Sequence, residues 1–139
     1  MKKNLTWWSV LGMELFYVLL ILILTTAATV SPIKKHQDSS ISIDTSTLGA
    51  DEGCFGPTPV VIYLDSHDVV SKIEYLPNDE TPAYWKMVTD KLLNAWNGVP
   101  ADKIKDLQVD AVSGATYSSE GLISNVKAGI TYYLNAKSE

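Results

Sequence analysis

Apolar positions are spread unevenly along the chain, and the densest run comes first. From Leu5 to Val30 they are nearly continuous, Glu14 is the only charge among them, and Lys2 and Lys3 stand just ahead. Counted from Leu15 the uncharged stretch is 16 residues, about 24 Å of helix and short of a hydrocarbon core of roughly 30 Å. Counted from Trp7 it is 24 residues, about 36 Å, which spans if Glu14 lies near the headgroups beside an interfacial Trp7 and Trp8. Residues 1–30 are therefore expected to be an N-terminal membrane anchor. A cleaved signal peptide with Thr26-Ala27-Ala28 as its small-residue site is the alternative, disfavoured by the length of the run. Lys34 and Lys35 balance Lys2 and Lys3, so orientation rests weakly on charge. The short N-terminus is placed inside and the remainder is exported.

Residues 31–51 are rich in Ser, Thr and Asp, show no sustained periodicity, and read as a flexible polar spacer. Beyond them the pattern changes. Pro59-Val60-Val61-Ile62-Tyr63-Leu64 is β-branched and aromatic, and Ile73-Glu74-Tyr75-Leu76 resumes after Asp65-Ser66-His67-Asp68, which predicts a hairpin with His67 solvated in its turn. Thr81 and Pro82 make a helix start, and Trp85, Val88, Leu92, Leu93 and Trp96 recur at helical spacing until Asn97-Gly98 and Pro100 stop it. Both tryptophans are expected in the core. Leu107 to Val112 fits a short strand. A last helix is expected from about Ser118 to Asn135, capped by Ser118 or Ser119, with Leu122, Val126, Ile130, Tyr133 and Leu134 on one side. The predicted class is α+β: a small antiparallel sheet with two packed helices in residues 52–139, behind one N-terminal transmembrane helix.

Composition narrows the chemistry. The net charge is −5, and all eleven basic residues are lysine. Without arginine the chain lacks the guanidinium forks that phosphate and base-edge recognition lean on, so no nucleic-acid partner is expected. Cys54 is the only cysteine and His36 and His67 the only imidazoles, which excludes a disulfide framework and a thiolate or histidine metal cluster. Cys54 does not sit in a lipobox, since Asp51-Glu52-Gly53 precedes it. It is expected as a small, at least half-buried thiol.

The segment most suggestive of chemistry is Val109-Asp110-Ala111-Val112-Ser113-Gly114-Ala115-Thr116-Tyr117-Ser118-Ser119. A glycine in a small-residue turn lets backbone approach a ligand, and Thr116 just ahead of a helix N-terminus stands where N–H groups and the macrodipole favour a phosphate. It is not a P-loop, since no Gly-Lys-Ser/Thr follows, and Ser113 lacks the flanking glycines of a nucleophile elbow. On the residues alone, an anion-binding corner and a plain strand-turn-helix junction both stay open.

Asp110 to Thr116 resembles the flavinylation motif of the FMN-binding domain family, Asp-x-x-Ser/Thr-Gly-Ala-Thr. The order of features across residues 53 to 135 is also similar: Gly53 and Gly56, a strand pair, Glu80-Thr81-Pro82 before the middle helix, then the motif and a final helix. That family includes the covalently flavinylated subunits of the Rnf complex and of the sodium-pumping NADH:quinone oxidoreductase, along with small membrane-anchored carriers. The resemblance implies that a periplasmic flavin transferase, using FAD and Mg2+, joins FMN through its phosphate to the Thr116 hydroxyl and releases AMP. Asp110, Ser113, Gly114 and Ala115 are the matching motif positions, and Tyr117, Ser118, Glu80 and Thr81 would complete the cofactor site. Ala111, Tyr117 and Ser118 depart from the residues common there. The implied protein is a single-pass protein of a bacterial cytoplasmic membrane whose C-terminal domain faces the periplasm or exterior.

Its implied role is electron transfer rather than complete catalysis, with Asp79 and Glu80 disfavouring negative charge on the ring. Its redox partners would be other membrane or extracytoplasmic proteins, because the chain has no dinucleotide fingerprint, haem motif or iron–sulfur spacing. No catalytic residue and no metal ligand is assigned. The alternative is a non-redox regulatory or scaffold module of a membrane complex in which Thr116 is never modified. An exported hydrolase using Ser113 or Thr116 is the weakest reading, for want of a placed histidine.

Overall fold

The computed structural model describes residues 12–18 and 30–139. Residues 12–18 are helical. Among the described residues no helix is long and apolar enough to cross a membrane, and most of the expected anchor lies outside them.

Ser31–Glu139 forms one compact unit. Four strands, β1 (Ile33–Lys35), β2 (Ile41–Asp44), β3 (Val60–Leu64) and β4 (Val70–Tyr75), make an antiparallel sheet in the order β1-β2-β3-β4. The hairpin is the predicted one, with Ile62 opposite Ile73 and a register shift at Tyr63/Leu64. Its turn is closed by Asp65, whose Oδ1 accepts the N–H groups of His67 (2.8 Å) and Val69 (3.0 Å), and His67 is exposed as expected.

Residues 31–51 are not a spacer. They supply β1 and β2, and Ile43 pairs with Ile33 on one side and Ile62 on the other. The compact unit thus extends back to Ser31 and takes in both strands. Ile43 is fully buried, and that apolar gain draws a polar segment into the sheet. Lys34 and Lys35 lie on the outer strand, where charge discourages further pairing.

Helix α1 (Pro82–Leu92) starts with Pro at its first turn, as predicted, though Thr81 makes no side-chain cap. Helix α2 (Thr116–Ser138) starts two residues earlier than expected, at Thr116. Between them a 3-10 turn (Ala101–Lys103) leads into an irregular segment. The strand expected at Leu107–Val112 is absent. The Val112 N–H instead donates to Ser119 Oγ (3.0 Å) and its carbonyl accepts the Ala115 N–H (2.9 Å).

The core lies between one sheet face and the two helices. Ile43, Val60, Ile62, Leu64, Val70 and Ile73 meet Trp85, Val88, Leu92 and Trp96 on one side and Leu122, Val126, Ile130 and Tyr133 on the other. Both tryptophans are core residues, as predicted, and the Tyr75 ring meets Trp85 edge-on at 5.7 Å. One buried polar network crosses the core. Thr45 Oγ1 donates to Asn125 Oδ1 (3.0 Å) and accepts the Val60 N–H (2.9 Å), while Asn125 Nδ2 donates to Thr58 Oγ1 (3.3 Å) and the Gly121 carbonyl (2.9 Å). Every member has a partner, so the network fixes the 45–60 connection on α2.

Candidate functional site

The polypeptide reaches Thr116 through a turn that only glycine makes without strain. Ser113-Gly114 is closed by the Val112–Ala115 hydrogen bond, and Gly114 has φ +84° with open space where a side chain would project. Neither serine caps α2. Ser119 Oγ donates to the Ala115 carbonyl (2.7 Å), Ser118 Oγ donates to Glu80 Oε2, and both side chains are buried. The helix has Ala115 at its N-cap position and no side-chain cap, which leaves the N–H groups of its first turn available.

Thr116 is exposed on the rim of a pocket of about 210 Å³ lined by Cys54, Phe55, Glu80, Thr81, Tyr84, Gly114, Ala115, Thr116, Tyr117 and Ser118. Seven of the nine residues expected from the sequence are therefore together: Thr116, Gly114, Ala115, Tyr117, Ser118, Glu80 and Thr81. Two are not. Ser113 is exposed in the turn outside this pocket, and Asp110 opens onto a separate groove with Asp51, Glu120, Ser124 and Lys127.

Three lining residues are not among the nine expected at the site. Cys54 and Phe55 come from the segment before β3, and Tyr84 from α1. Cys54 is exposed, not half-buried as expected. Tyr84 had a visible signal, being an aromatic that falls off the apolar stripe of Trp85, Val88 and Leu92. Cys54 and Phe55 had none beyond the flanking glycines.

Chemically the pocket joins flat apolar surface to polar backbone. Phe55, Tyr84 and Tyr117 are 60%, 50% and 70% exposed, a costly arrangement for large rings unless something covers them. Thr81 and Ala115, the N-cap residues of both helices, line it together, and neither helix end carries a side-chain cap. Two uncapped N-termini place partial positive charge beside the aromatics without any arginine. Glu80 is buried at its base and accepts the Phe55 N–H at 2.8 Å on Oε1. A larger groove of about 520 Å³, lined by Tyr75, Trp85 and Asp90 among others, shares Glu80 but contains no residue of the motif.

Aromatic faces for a ring system, helix N-termini for a phosphate and an exposed hydroxyl at their junction fit flavin mononucleotide. No curated protein matches the chain. Residues 53–131, more than half of the chain, match the FMN-binding domain, and the protein belongs to that family of flavin-binding proteins.

Proposed function

We propose that the protein is a membrane-anchored, extracytoplasmic electron carrier whose FMN is attached by a phosphoester to Thr116. The observation that carries this reading is the position of Thr116: an exposed hydroxyl on the first residue of a helix, on the rim of a pocket walled by exposed aromatics, in a domain that binds FMN. In the attachment step the Thr116 oxygen displaces AMP from FAD at the phosphorus next to riboflavin, and the hydroxyl proton leaves with the AMP side. A periplasmic flavin transferase, using Mg2+, catalyses this transfer from FAD. The bound flavin supplies reversible one- and two-electron transfer.

The chain's own residues bind and orient. The first turn of α2 offers N–H groups to a phosphodiester carrying one negative charge, which needs no cationic clamp to stay in place. Phe55, Tyr84 and Tyr117 offer the ring faces. The covalent tether keeps the cofactor at a high effective concentration outside the cytoplasm, where a dissociated flavin would be lost to dilution. Electrons come from and pass to membrane or extracytoplasmic partners, and the apolar N-terminal run anchors the domain in the bacterial cytoplasmic membrane. Purified, dialysed Thr116→Ala protein should lose its FMN; stoichiometric retention would show that binding does not depend on the link.

A further inference from the structure

The wall that carries Phe55 is a tight turn in which the Gly53 N–H donates to the Gly56 carbonyl (2.8 Å) and Gly56 has φ +131°. Its inner end is seated against α2, where Gly53 touches Gly121. Its outer end is held by Glu80, whose Oε1 accepts the Phe55 N–H at 2.8 Å. The other oxygen, Oε2, accepts the Ser118 hydroxyl, two residues beyond Thr116. The Glu80 backbone is itself fixed, its N–H donating to Asn78 Oδ1 (3.1 Å). Glu80 is only 6% exposed and takes part in no ion pair among the described residues. A carboxylate buried without a counter-charge is costly, and its two hydrogen bonds are what compensate it.

We infer that Glu80 is a positioning residue, a latch that ties the Phe55 turn to the first turn of the helix bearing Thr116 and so holds the Phe55 ring in the wall of the cofactor pocket. Both its oxygens are engaged by the protein, so its effect on the cofactor passes through Phe55 and Ser118. The latch rests on the covalent-FMN reading for its consequence but not for its existence.

The test uses the full chain in detergent, flavinylated by co-expression with a transferase, as wild type, Glu80→Ala, Glu80→Gln, Phe55→Ala and the Glu80→Ala/Phe55→Ala double variant. Intact mass reports loading, iodide quenching of flavin fluorescence reports solvent access, and hydrogen exchange of residues 53–58 reports the turn. Glu80→Ala and Phe55→Ala should raise the iodide quenching constant alike, and the double variant should add nothing. Residues 53–58 should exchange about ten- to hundredfold faster in Glu80→Ala, the loss expected for hydrogen bonds to a charged group. Glu80→Gln should stay near wild type, because its amide oxygen still accepts the Phe55 N–H and its NH2 can donate to Ser118 Oγ.

Wild-type values in Glu80→Ala would overturn the latch, and so would a glutamine variant that behaves like alanine, since charge alone would then be acting. If Glu80→Ala does not fold, Ser118→Ala removes one arm only and should give part of the same acceleration. A wild type carrying no covalent flavin would defeat the reading of Thr116, and exchange in the unloaded protein would then decide the latch by itself.

Discussion

Gly53 and Gly121 meet backbone to backbone: a methyl group on Gly121 would lie 2.7 Å from the Gly53 nitrogen and 2.8 Å from its Cα. The contact sets the Cys54–Phe55 turn against the helix that begins at Thr116. Gly121→Ala must move backbone, and should cost about 1–3 kcal/mol as overpacking does. Gly129→Ala is the internal comparison, because there the added methyl meets the side-chain ends Ile62 Cδ1 and Thr45 Cγ2, both at 2.8 Å. Thermal melts should rank Gly121→Ala as the more damaging. The reverse order would mean that the turn yields easily.

The motif glycine acts through backbone alone. Gly114 has φ +84° and no atom within 4 Å of where a Cβ would lie, so Gly114→Ala is strained without being crowded. A loss of about 1–2 kcal/mol is expected, with a smaller one for Gly114→Asn, since asparagine tolerates this conformation better. Flavin loading by the transferase should fall in the same order if the turn presents Thr116. Denaturant melts and pulse loading together check it.

A third prediction concerns pH. Asp68, in the hairpin turn with φ +61°, accepts from Lys137 and from the Tyr133 hydroxyl, which joins the sheet to the end of α2. The Lys137 hydrogen bond, then that of Tyr133, holds the Asp68 carboxyl below its usual range. Its contribution is therefore present above the unfolded value and lost as pH falls through the folded one. Burial, then the bond to Asp68, pushes Tyr133 up to about 12. Its contribution is whole below the unfolded value near 10 and lost between about pH 10 and 12, on the order of 2 kcal/mol. Tyr133→Phe should lower stability at neutral pH yet flatten its alkaline decline, as melts from pH 8 to 11 would show. An unchanged alkaline slope would remove Tyr133 from the account.

The hairpin and both helices were legible because their signals are long and local. Val60 to Leu64 alternates burial along one strand, and Trp85, Val88 and Leu92 repeat at helical spacing before a glycine stop. β1 and β2 were not legible, since strands of three and four residues leave only Ile41-Ser42-Ile43 as a period, and their pairing with β3 is non-local. Leu107 to Val112 failed in the opposite sense. It alternates well, but at the start of β4 the ladder bonds of Val70 go to Gly98 and Val99, and Val69 bridges Pro100. Alternation says nothing about whether an edge is free. At the site, the contiguous motif gave Gly114 to Ser118, while Cys54, Phe55 and Tyr84 arrive from distant segments that only the fold brings together.

The most direct measurement of the central claim is in-gel ultraviolet fluorescence of the denatured protein after co-expression with a flavin transferase, run beside Thr116→Ala and paired with intact mass. The account predicts yellow fluorescence in the wild type alone, with a mass gain of one FMN less water. No fluorescence, under conditions that label a known transferase substrate, would contradict the covalent link.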